Sequence, residues 1–95
     1  MITFDVSAAG TGSGQGWLAE GINPSGEITG EYIDSNAVAH GFVRSRSGAI
    51  TTFDAPGAGT GSGQGTMPLT NNPAGSVTGS EIDASGVSHG FLRTP

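Results

Sequence analysis

Short runs of alternating apolar and polar residues, each closed by a turn signal, fill most of this chain. The runs are Ile2–Val6, Trp17–Asn23, Glu27–Asp34 and Val38–Ser45, then Ile50–Ala55, Thr66–Asn71, Ser76–Asp83 and Val87–Thr94. They are rich in β-branched and aromatic residues, and a period of two predicts strands. Asn23-Pro24-Ser25-Gly26 and Asn72-Pro73-Ala74-Gly75 suit a type I turn, with Pro second and Gly fourth. Asp34–Ala37, Asp83–Gly86 and Ser47-Gly48 are further turn signals. No window keeps a 3.6-residue apolar period, so no helix is expected.

Within Val38–Arg44, Val38, His40 and Phe42 point one way, and Ala39, Gly41 and Val43 the other. Apolar residues thus occupy both faces, large on one and small on the other. That pattern suits a sheet packed between two neighbours. Gly30, Gly41, Gly79 and Gly90 interrupt strands, which implies that something approaches their backbones closely.

The chain is also a repeat. A shift of 49 positions lays Phe53 on Phe4 and Arg93 on Arg44, and about half of the overlapping positions are identical without a gap. The shared blocks include Thr-Phe-Asp (3–5 and 52–54), Gly-Thr-Gly-Ser-Gly-Gln-Gly (10–16 and 59–65) and Val-x-His-Gly-Phe-x-Arg (38–44 and 87–93). A period of this length marks a solenoid, propeller or array. Four short antiparallel strands per repeat describe a propeller blade. The expected fold is therefore an all-β β-propeller built from four-stranded antiparallel blades. Residues 1–49 form the first blade and 50–95 the second, together one structural domain.

At Gly21-Ile-Asn-Pro-Ser-Gly-Glu-Ile-Thr-Gly-Glu-Tyr and His40-Gly-Phe-Val-Arg the chain resembles the HAF-type extracellular repeats of bacteria. The resemblance covers nearly the whole chain, twice. The second repeat departs from the pattern, with Thr70-Asn71-Asn72 at the place of Gly21-Ile22-Asn23 and Glu81 at that of Tyr32. The resemblance implies a propeller-like protein, secreted or held at the cell surface, and it carries over no catalytic residue.

Composition narrows the chemistry. The 18 glycines among 95 residues are well over the usual share of roughly 7% and further oppose helix. Arg44, Arg46 and Arg93 are the only basic residues against eight carboxylates, and the net charge is −5. Nucleic acid and anionic membrane both need clustered positive charge, so neither is an expected partner. Without cysteine there are no disulfides, thiol nucleophiles or Cys-type zinc sites. No signal peptide is legible at Met1, so any export signal is expected to have been removed or to lie outside this sequence.

The Gly10–Gly16 run resembles a phosphate loop only superficially, because a Walker loop needs a lysine and the chain has none. His40 and His89 each follow an Asp by six residues (Asp34, Asp83). One His and one Asp per repeat fall short of a metal site, so a hydrogen bond to that Asp or to a turn carbonyl is expected. Glu27 and Glu31 sit ~13 Å apart along one strand face and read as solvated charges. No nucleophile–base set assembles, so hydrolytic activity is the least expected function, and no cofactor or metal is expected. Trp17 and Tyr32 are replaced by Thr66 and Glu81 in the second repeat. Trp17, Glu20, Tyr32 and Arg44 are accordingly the candidate ligand set, with carbohydrate the ligand that a stacking face beside charged groups would hold.

Two blades cannot close a ring, and small repeats need three or more neighbours for stability. The expected partner is the chain itself, in a cyclic head-to-tail homo-oligomer of three chains and six blades, with four chains the runner-up. Ile2–Val6 and Val87–Thr94 lack partners at the two ends, so each chain's start is expected to seal against its neighbour's end. Ile2, Phe4, Val6, Phe91 and Arg93 are the expected interface residues.

Overall fold

The alternating runs become seven strands in a computed structural model that describes all of residues 1–95. These are β1 (Gly16–Ile22), β2 (Ile28–Ile33), β3 (Ala39–Arg44), β4 (Ile50–Phe53), β5 (Gly65–Asn71), β6 (Val77–Ile82) and β7 (Ser88–Arg93). The chain is all-β. The strands form one open sheet in the order β1-β2-β3-β5-β6-β7, with β4 also paired to β3. Every pairing is antiparallel except that of β3 with β5, which is a single parallel match of Ala39 with Gly65.

The repeat is visible in every element but one. β1-β2-β3 and β5-β6-β7 carry the same register, including a bulge that leaves Glu20 and Leu69 unpaired. Each Asn-Pro-x-Gly turn closes with Gly26 N–H donating to Asn23 C=O, or Gly75 N–H to Asn72 C=O. Ile2–Val6, expected as a strand, is not one. Its counterpart β4 pairs with β3, the strand that precedes it, whereas Ile2–Val6 pairs with no strand. β1-β2-β3 thus gain a fourth strand from the start of the second repeat, β5-β6-β7 have no such fourth strand, and β7 has an unpaired edge.

Two of the strand glycines meet backbone as expected. A Cβ at Gly30 would strike the Leu18 carbonyl, and one at Gly79 the Met67 carbonyl. At Gly65 two demands coincide. Its φ is 119°, and a Cβ would run into the Ala39 carbonyl, so only glycine permits this join between the repeats.

Burial is uneven between matched positions. Val38 is 4% exposed and its counterpart Val87 51%. Thr29, Ala39 and Gly41 are buried, whereas Thr78, Ser88 and Gly90 are exposed. The order reverses on β5, where Thr66 and Pro68 are buried while Trp17 is half-buried and Ala19 exposed. The second repeat covers one face of the first, and its own matching face is bare. Only 16 of 95 residues are buried, and the central cluster is Val6, Tyr32 and Phe42, flanked by Phe4, Trp17, Ile28 and Ile50.

Candidate functional site

The most organised polar centre lies where the Asp34 turn meets β3. Asp34 Oδ1 accepts from the Asn36 and Val38 N–H groups, which fixes the turn. Its Oδ2 lies 2.8 Å from His40 Nε2, and Asp54 Oδ1 lies 2.7 Å from His40 Nδ1. The Tyr32 ring stacks on the imidazole at 4.9 Å. Both ring nitrogens can donate only in the imidazolium form. Burial lowers the His40 pKa, but the bonds to Asp34 and Asp54 outweigh it and hold the ring above the usual imidazole range. The His40 bond, aided by the backbone donors against some desolvation, holds Asp34 below the usual carboxylate range. With both nitrogens engaged, His40 has none free for a metal or a substrate.

His89 keeps only half of this arrangement. Its Nε2 lies 2.8 Å from Asp83 Oδ2, and this bond is the first cause holding Asp83 low. The position matching Asp54 would be taken by Asp5, which in this chain sits at the far end of the sheet and accepts at 2.6 Å from Trp17 Nε1. The histidine-to-Asp bond six residues back was legible in the sequence. Asp54 was missed, although the repeated Thr-Phe-Asp block carried the signal.

The glycine-rich runs fold around a glutamine side chain. Gln15 Oε1 accepts from Gly12 N–H at 2.9 Å, and its Nε2 donates to Ser35 C=O at 3.3 Å. Gln64 repeats this with Gly61 and Ala84. A Cβ at Gly10 or Gly59 would collide with that glutamine. The run is a plugged loop that ties the start of each repeat to its second turn.

The structure gathers only part of the candidate ligand set. Trp17 and Arg44 both lie on Phe4, Trp17 stacked at 4.6 Å and Arg44 Cζ 4.9 Å from the ring centre. Tyr32 is buried beneath His40. Glu20 lies further along β1, on a shallow groove with Ala19, Gly21, Ile22 and Ile28. A separate cleft of ≈ 440 Å³ runs beside Trp17, lined by Asp5, Ser7 and Thr11 among others. Glu81, at the place of Tyr32, is also buried, and its Oε2 has no hydrogen-bond partner.

Glu27 and Glu31 are half-buried rather than solvated. Glu27 Oε1 accepts from Asn23 Nδ2, and burial, then Glu20, pushes the Glu31 carboxyl above its usual range. Among the expected interface residues, Val6 belongs to the chain's own core, because its side chain packs inward with Tyr32 and Phe42. Ile2 is exposed, and Phe4, Phe91 and Arg93 are half-buried. Phe91 and Arg93 both lie against Phe53, with 6.0 Å between the two phenyl rings and Arg93 Cζ 4.8 Å above Phe53. No helix is long and apolar enough to cross a membrane. Comparison with protein-family models, curated proteins and solved structures finds no match to this chain.

Proposed function

We propose that this chain is a non-enzymatic, self-assembling repeat module: two blades of a β-propeller that close a ring with further copies. Three chains and six blades are the favoured ring, with four chains as runner-up. The observation that carries this reading is the reversed burial of matched residues. The face that contains Thr29, Ala39 and Gly41 is covered by the second repeat, while Thr78, Ser88 and Gly90 await a cover. The β5 face that contains Thr66 and Pro68 is covered by the first repeat, while at the matching positions Trp17 is half-buried and Ala19 exposed. Each of these more exposed sets is the counterpart of one that the other repeat already covers. Stacking a second copy in the same sense would bury both, which is a heterologous, ring-forming interface. Ile2, Ile22, Val87 and Leu92 are large apolar residues left exposed on the single chain, consistent with such burial. The resemblance to HAF-type repeats makes the cell exterior the expected setting.

Light scattering at micromolar concentration tests this. A mass three times 9.4 kDa is expected. A single-chain mass would overturn the reading.

A second reading is favoured by the cleft beside Trp17, whose Asp5, Ser7 and Thr11 supply polar groups next to an indole. It makes the module a carbohydrate binder. A saturable change in Trp17 fluorescence on sugar titration is its signature, and a flat titration across a glycan panel leaves assembly alone.

A further inference from the structure

We infer that the free edge of β7 is a docking site for a Thr-Phe-Asp segment, and that residues 3–5 of a second copy are its occupant. The inference rests on the ring reading for the source of the segment, but the site itself is built from this chain. The same segment is already seated once within the molecule. Thr52-Phe53-Asp54 lies along β3, with Phe53 opposite Gly41, Thr52 opposite Phe42 and Thr51 opposite Val43. The Phe53 ring lies over Gly41, where a Cβ would stand 2.6 Å from Cζ, so the glycine is the hollow that admits the ring. Asp54 then reaches His40 Nδ1.

β7 presents the same receptor, empty. Its Ser88-His89-Gly90-Phe91-Leu92-Arg93 matches β3 at His, Gly, Phe and Arg. The hollow at Gly90 is open, the nearest atom to a Cβ there being the Gly79 carbonyl oxygen at 4.0 Å. His89 is bonded through Nε2 alone, so its Nδ1 is free. The β7 edge has no strand beside it.

The ligand is present in the sequence and takes no part in the sheet. Thr3-Phe4-Asp5 repeats residues 52–54, lies outside every strand, and has its start exposed, with Ile2 at 81%. One side of the Phe4 ring already packs as Phe53 does on the following repeat, with Phe42 at 6.0 Å and Arg44 at 4.9 Å. What Phe4 lacks is the glycine hollow that Phe53 has in Gly41. In the register of β3 with β4, Phe4 of a second copy falls opposite Gly90, Thr3 opposite Phe91, and Ile2 opposite Leu92, itself 70% exposed. Asp5 follows onto His89 Nδ1. Its second oxygen keeps the bond to Trp17, since a carboxylate accepts several donors.

The test uses the full chain, its Gly90→Val variant, and a synthetic peptide of residues 1–6. Gly90 is open in the single chain and has no left-handed φ, so valine there fills the hollow without striking the chain itself. If the wild type assembles, Gly90→Val is expected to reduce it to single chains with an unchanged circular dichroism spectrum. If the wild type is a single chain, the ring reading falls, but the peptide is still expected to bind it and not the variant. Should Gly90→Val fail to fold, peptide variants on the wild-type chain decide. Asp5→Asn in the peptide is expected to weaken binding on the order of tenfold, the size of one charge-assisted hydrogen bond. Phe4→Ala should abolish it. An assembled wild type whose mass is untouched by Gly90→Val would overturn the inference and leave the ring standing. A single-chain wild type that ignores the peptide, or binds its Phe4→Ala form equally well, would also overturn it.

Discussion

His40 and Asp34 meet at 2.8 Å through Nε2 and Oδ2, and the same carboxylate fixes the turn that delivers the histidine to it. The pair joins a local turn to the tertiary packing of β3 and β4, because Asp54 holds the other ring nitrogen. Its stability contribution depends on pH with a definite sign. His40 is raised above 6.5, so its contribution is full below that value and is lost as pH rises through the raised one. Asp34 and Asp83 are lowered below 3.8, so theirs is full above 3.8 and is lost as pH falls through the lowered values. Thermal stability, followed by Trp17 fluorescence, should therefore peak between these limits. His40→Gln should flatten the alkaline side of the curve. An equal melting temperature for wild type at pH 5 and pH 8 would contradict the assignment.

Val38→Ala and Val87→Ala are predicted to act on different equilibria. Val38 is buried within one chain, so its truncation should cost about 1–3 kcal/mol in urea unfolding. Val87→Ala should leave single-chain stability within about 0.5 kcal/mol. Its effect should appear in concentration-dependent mass, because the residues flanking Val38 bond Gly63 and Gln64 of the following repeat, and in the proposed ring only another copy supplies that loop to Val87. Equal urea midpoints for the two variants at low concentration would count against the burial argument.

Gly65 and Gly16 form a second matched pair. Both have positive φ, 119° and 105°, but only at Gly65 would a Cβ strike another backbone, that of Ala39. Gly65→Ala should destabilise by roughly 2–4 kcal/mol, combining backbone strain with overpacking. Gly16→Ala should cost about 1 kcal/mol, from strain alone. Denaturant titration of the two variants side by side checks the order.

Gln15→Ala and Gln64→Ala each remove the plug of one glycine-rich loop. Each should cost about 1–2 kcal/mol, the scale of two hydrogen bonds that leave backbone groups seeking water. Faster amide exchange at Gly12 or Gly61, read by NMR, should mark the loop that was opened. Unchanged exchange at both would mean that the glutamines do not hold the loops.

The sequence by itself determined the strands, the turns and the repeat, because all three are decided by near neighbours. Alternation within Glu27–Asp34 or Val87–Thr94 settles which residues share a face, and Asn-Pro-x-Gly or Asp34 closes a turn with bonds no more than four residues long. The Asp34–His40 bond was legible for the same reason, since one turn and one strand register span it. What only the tertiary structure decided depends on partners far along the chain. Ile2–Val6 carries a strand pattern and forms no strand, because a strand exists only beside another and the chain offers it none. Asp54 reaches His40 from 14 residues away, and Gln15 reaches Ser35 from 20, through pairings that no local pattern encodes. Likewise, Val38 and Val87 occupy the same place in the repeated turn-and-strand pattern, yet one is buried and the other bare. Burial belongs to the surface that arrives from elsewhere, and here the second repeat supplies one to the first and has none of its own.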